Sequence, residues 1–84
     1  MAARLTFTRH ALEMLQEREI DADWIGRAIE YPDVTERDAN YPDRINVLKA
    51  LPERNGKVLR VIYIDTGTER RVITAFLDRR RRTQ

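Results

Sequence analysis

Val58-Leu59-Arg60-Val61-Ile62-Tyr63-Ile64-Asp65-Thr66-Gly67-Thr68-Glu69-Arg70-Arg71-Val72-Ile73-Thr74-Ala75-Phe76-Leu77 is the stretch whose reading decides the fold. Val58 to Asp65 and Arg71 to Leu77 are rich in β-branched and aromatic residues, which suit a pleated, half-buried surface. Thr66-Gly67-Thr68 between them reads as a turn, so the two runs form consecutive antiparallel strands. Arg60 and Arg71 each interrupt an apolar run and so project from a rigid sheet. There they serve either as its solvated face or as clamps for a phosphate group. Thr74 lies in the strand of Arg71, where it is an ordinary strand residue, a hydrogen-bond donor to a phosphate oxygen or an orienting partner for an imidazole. If Thr66 to Thr68 is the whole loop, Arg60 falls opposite Thr74 and shares its face. A two-residue Thr66-Gly67 loop instead puts Arg60 on the face of Arg71.

Upstream, Ile45 to Leu51 has the same β character and stops at Pro52, and Asn55-Gly56 signals a tight turn into the next strand. Val34 to Asp38 reads as a further short strand, and Asp38 to Asp43, with Asn40 and Pro42, as a loop. Nearer the start the apolar period changes. Leu5-Thr6-Phe7 alternates as a short strand, and Thr8 is placed to cap a helix from Arg9 to about Arg18. Ala11, Leu12 and Leu15 form its apolar stripe, with Phe7 and Leu12 at staple spacing. Asp21 caps a second helix, Ile20 and Ile25 repeat the staple, and Ile25, Ala28 and Ile29 give the buried face. Pro32 ends this helix, because the residue before a proline is pushed out of helical geometry. Trp24 and Tyr31 on it are expected to pack on the sheet. Strand, helix, helix and then a meander of three or four strands makes an α+β layer, with two helices on one face of an antiparallel sheet.

The chain has 84 residues, 42% of them hydrophobic, which is one domain with a single modest core. Residues 1–78 are read as that domain and 79–84 as an arginine-rich disordered tail. There are 16 Lys and Arg against 14 Asp and Glu, a net charge of +2. Four of the cations are Arg79 to Arg82, so the rest of the chain sits at −2 and the basic balance belongs to its end. No Cys and no Ser occur, which excludes disulfides, thiol chemistry and serine nucleophiles. Gly26, Gly56 and Gly67 are isolated, so no phosphate-cradling glycine motif exists. Asp21 and Asp23 are helix-cap material, and no metal or cofactor is expected. No signal peptide or membrane-spanning run is visible, so a cytoplasmic protein without membrane contact is expected.

His10 is the one side chain suited to acid-base work near neutral pH. A histidine at a helix start is ordinarily an exposed or locally bonded polar group, and only its surroundings can raise it above that.

Phe7-Thr8-Arg9-His10-Ala11-Leu12, then Arg18 and Ile20, Tyr31-Pro32-Asp33 and the late Val72-Ile73-Thr74-Ala75 together resemble a family of small prokaryotic domains of unknown function, family 4258. Gly56-Lys57-Val58-Leu59, Val61-Ile62-Tyr63 and Glu69-Arg70-Arg71-Val72-Ile73-Thr74-Ala75 are also similar to BrnT-type toxins of the RelE/ParE superfamily. The chain departs from these patterns at Met14, Glu19 and Phe76. The resemblance implies a RelE/BrnT-like fold and a metal-independent endoribonuclease, the toxin of a toxin and antitoxin pair. It matches His10, Arg71 and Thr74 to the characteristic histidine, strand arginine and strand hydroxyl. Arg60 and Arg70 would then contact RNA, and the partners would be RNA and an antitoxin or other protein. The alternative reading is a noncatalytic protein- or nucleic-acid-binding module on the same scaffold.

Overall fold

The computed structural model describes residues 4–82, with side chains through Asp78. Strand β1 spans Arg4–Phe7, helix α1 Arg9–Glu17 and helix α2 Ala22–Glu30. Strands β2 (Val34–Arg37), β3 (Arg44–Leu51), β4 (Lys57–Asp65) and β5 (Glu69–Arg82) follow, with a 3-10 turn over Pro52–Arg54. All five strands form one sheet in the order β1-β5-β4-β3-β2. The α+β class expected from the sequence stands, but the sheet is not purely antiparallel.

β2 to β5 are the expected meander, each antiparallel to the next. β1 joins it in parallel, pairing Arg4 with Glu69 through Phe7 with Val72. The physical reason is strand parity. The two helices carry the chain from one edge of the sheet to the other, and a four-strand meander then returns, so its last strand runs the same way as β1. Alternation in the sequence reports which faces a strand has, but not the direction of its neighbour.

Both helix starts form as the sequence dictates. Thr8 Oγ1 accepts from Ala11 N–H at 3.1 Å, and Asp21 Oδ1 accepts from Asp23 N–H at 2.8 Å. Ile20 and Ile25 are buried together in the core, so the second staple is present. The first is not, since Leu12 is 53% exposed and the buried stripe of α1 runs through Ala11 to the partly buried Leu15. Trp24 packs against the core, whereas Tyr31, at the end of α2, is 71% exposed rather than packed on the sheet. Glu19 turns the chain between the helices with φ of +53°, a left-handed conformation that L-residues adopt at a cost.

The core lies between the helices and one sheet face. Ala11, Ile25, Ala28 and Ile29 meet Val47, Leu51, Leu59, Val61, Tyr63, Val72 and Ala75, which the register places on a single face. The opposite face has no helix on it.

β5 also runs further than the Arg71 to Leu77 span expected, continuing through Arg82, whose backbone partners Lys57. Residues 79–82, expected in a disordered tail, therefore belong to the strand, and 83–84 lie outside the described residues.

Candidate functional site

Neither loop expected from the sequence is the one that forms. Thr66 N–H donates to Glu69 O, and Asp65 pairs with Arg70, so the hairpin closes one residue further on. Ile64 then stands opposite Arg71 and Tyr63 opposite Val72, but Ile62 stands opposite Thr74. Ile73 is the extra residue of a β-bulge, which bends the strand and shifts the alternation by one.

The bulge has a direct effect on the site. In a regular strand Arg71 and Thr74, three residues apart, would point to opposite faces. With Ile73 bulged, both share the helix-free face with Ile62, Ile64 and Arg60. The Ile73 carbonyl accepts a hydrogen bond from Thr8 Oγ1 at 3.2 Å, and Thr8 N–H donates to Val72 O at 3.0 Å. The N-cap of α1 is thus anchored on the bulge of β5.

His10 lies two residues beyond that anchor. Its Nε2 is 3.3 Å from Thr74 Oγ1, and the imidazole is exposed. β1 ends at Phe7, opposite Val72, so Thr74 lies beyond the parallel pairing and His10 reaches it past the end of β1. Where Nε2 donates to the threonine oxygen, Nδ1 keeps its lone pair and is free to take a proton.

Arg71, exposed on the same face, pairs with Glu69. Thr6 stands across from Arg71 in β1, and its buried Oγ1 has no hydrogen-bond partner among the described residues. The sequence reading missed Thr6, which carries no signal beyond ordinary strand alternation.

Arg60 is held inside the helix-free face. It donates to Asn46 Oδ1 and Asp78 Oδ2, each at 3.3 Å, and Glu36 Oε1 lies 3.8 Å away. Asn46, Arg60, Ile62, Phe76 and Asp78 line a shallow cavity of about 340 Å³. Of these only Arg60 was a candidate site residue in the sequence, because Asn46 and Asp78 acquire meaning only when β3, β4 and β5 lie side by side.

Arg70 shares the helix-side face with Tyr63 and Val72 and pairs with Glu30 Oε1 at 3.0 Å. Burial pushes the Tyr63 phenol up, with the Arg70 charge pulling the other way. The structure therefore brings His10, Thr74 and Arg71 to one stretch of β5. It places Arg60 on the same face in a separate network, and Arg70 on the other side of the sheet.

Among the described residues no group of three His, Cys, Asp or Glu side chains is placed to hold a metal ion. No described helix is long and apolar enough to cross a membrane.

No curated protein and no solved structure matches the chain at a significant level. The family model described as "Domain of unknown function (DUF4258)" matches residues 7–77, from the Phe7 that ends β1 to the Leu77 beyond the bulge of β5. It spans His10, Arg71 and Thr74 and most of the chain, and the protein belongs to this family.

Proposed function

We propose that the chain is a metal-independent endoribonuclease acting at the edge of its helix-free sheet face, in the manner of a toxin from a toxin and antitoxin pair. The observation that carries this reading is the 3.3 Å approach of His10 Nε2 to Thr74 Oγ1, on the face that the bulge makes Thr74 share with Arg71. The similarity of the strand motifs to BrnT-type toxins of the RelE/ParE superfamily supports the same chemistry, with RNA as substrate and an antitoxin as protein partner.

The reaction is a transesterification. His10 takes the proton from a ribose 2′-hydroxyl, and the freed oxygen attacks the adjacent phosphorus. The bond from phosphorus to the 5′-oxygen breaks, and that oxygen takes a proton from the imidazolium. The products are a 2′,3′-cyclic phosphate and a 5′-hydroxyl end. Arg71, turning from Glu69, stabilises charge on the phosphorane, and Thr74 orients the imidazole. Arg60 sets the shape of the neighbouring surface through Asn46 and Asp78.

Incubating the purified chain with RNA in a chelating buffer and identifying the new ends tests this. Cyclic-phosphate ends that disappear with His10→Ala are expected. No cleavage, or equal cleavage by His10→Ala, refutes the mechanism.

A second reading has its own observation. Arg60, Arg70 and Arg71 are each ion-paired, with Asp78, Glu30 and Glu69, which leaves the strand cations already compensated. A noncatalytic binding module on the same scaffold fits that compensation. Saturable binding of RNA or of a protein partner without cleavage would establish it.

A further inference from the structure

At the other end of α1, Glu17, Arg18, Arg54, Lys57 and Leu77 line a concave pocket of about 260 Å³. Three cations and one carboxylate converge there, from the end of α1, from the 3-10 turn and from the start of β4. Arg18, Arg54 and Lys57 make no ion pair with any described residue, unlike Arg60, Arg70 and Arg71. Among the described residues these three cations are therefore unpaired and outnumber the one carboxylate, whereas the strand arginines named from the sequence are neutralised.

Two further features bear on what the pocket takes. Glu17 and the carbonyl end of α1 form a negative border on one side, which holds an anion toward Arg54 and Lys57. The run Arg79 to Arg82 starts two residues past Leu77, and the Arg82 backbone partners Lys57. The most basic segment of the chain thus follows the pocket directly. Three cations against one carboxylate suit an anion such as a phosphate group.

We propose that this pocket is a phosphodiester-binding subsite that holds the RNA backbone away from the cleavage point. The inference rests on the proposed function only in taking RNA as the ligand. His10 and Arg18 are eight residues apart on and just past α1, about 12 Å at 1.5 Å per residue. Thr74 and Leu77, three residues apart in β5, give a similar span of about 10 Å. At about 3.4 Å of axial rise per nucleotide, that is three or four nucleotides. Thr74 faces the helix-free side and Leu77 the helix side, so a strand meeting the imidazole at one end of this path and the pocket at the other would cross the β5 edge left open beyond the end of β1.

The test measures binding of a short, fluorescein-labelled single-stranded RNA of mixed sequence to the full chain carrying His10→Ala, so that the probe stays intact. Adding Arg54→Ala with Lys57→Ala is expected to weaken binding about tenfold and to lower the slope of log K against log salt by about 1.4, or 0.7 per lost phosphate contact. Arg37→Ala with Arg44→Ala removes the same charge at the far side of the sheet, where Arg37 ends β2 and Arg44 starts β3, and is expected to change binding less than twofold. Circular dichroism confirms that both double variants are folded. Equal weakening by the two pairs, no weakening by the first, or no saturable binding at all overturns the subsite. Cleavage of the same RNA by the unsubstituted chain is scored separately. Pocket-dependent binding without cleavage keeps the subsite and removes the ribonuclease, whereas cleavage with pocket-independent binding does the reverse.

Discussion

His10 Nε2 and Thr74 Oγ1 lie 3.3 Å apart although 64 residues separate them in the chain. The contact exists because Thr8 ties the start of α1 to the bulge at Ile73, one residue before Thr74. A positioning hydroxyl of this kind orients the imidazole without touching the reacting atoms. Thr74→Val keeps the β-branched shape and removes only the hydroxyl. A hydrogen bond of about 1 kcal/mol predicts a fall of about fivefold in RNA cleavage rate. His10→Ala is expected to cost about 10² to 10⁴. Thr74→Ser should recover most of the activity, whereas a merely structural threonine would show no such rescue in rate at equal thermal stability.

Thr8 serves the helix and the sheet together, accepting from Ala11 N–H and donating to the Ile73 carbonyl. Thr8→Ala should destabilise the fold by about 1 to 2 kcal/mol. For a domain of this size, thermal unfolding should drop by about 4–8 °C per kcal/mol. Thr8→Ser, which retains the oxygen, should stay within about 0.5 kcal/mol of the parent. A Thr8→Ala chain that melts with the parent would show that the cap contributes nothing.

The buried Thr6 hydroxyl has no partner among the described residues, so it is desolvated without compensation from them. Thr6→Val replaces it with a methyl group of similar shape in a strand. We expect a gain of about 1 kcal/mol and a higher melting temperature. A loss of stability would mean that the hydroxyl is satisfied in solution.

Asp33 accepts from Ala50 N–H at 2.8 Å and from Lys49 Nζ at 3.4 Å. The Ala50 amide, ahead of the Lys49 charge, holds its carboxyl below the ordinary 3.8, and burial opposes them. A carboxylate with a lowered folded pKa contributes stability that is full above its unfolded value. That contribution is lost as pH falls below 3.8 through the folded value. Asp33→Ala should therefore cost about 0.5–1.5 kcal/mol at neutral pH, and the gap from the parent should close on acidification below about pH 4. Urea unfolding at several pH values measures this, and a gap that widens in acid would contradict it.

Much of the local structure was legible from residue types. Caps at Thr8 and Asp21, the stop at Pro32, the turn at Asn55-Gly56 and the β character of Val58 to Leu77 depend on neighbours within a few positions, and all of them formed. The buried side of α2 was equally plain, because Ile25, Ala28 and Ile29 recur at helical spacing and meet the core. His10 and Thr74 could be named as chemical candidates by residue type alone. Their proximity could not, since nothing local links positions 64 residues apart.

Tertiary structure decided the rest. The direction of β1 against β5 follows from how many strands the chain lays down before it returns to that edge. Hairpin closure at Asp65 with Arg70, and the single extra residue at Ile73, put Arg60, Arg71 and Thr74 on one face, where each register expected from the sequence paired Arg60 with only one of them. The charge followed the same rule. The sequence alone determined a net +2 carried by the four arginines near its end. Only the folded chain showed that Arg60 and Arg71 are neutralised by Asp78 and Glu69, while Arg18, Arg54 and Lys57 converge without an ion pair among the described residues. The physical reason is common to all of these. Propensity and capping act over a few residues of chain, whereas register, bulges and ion pairing are set by packing between segments that meet only when the sheet closes against the helices.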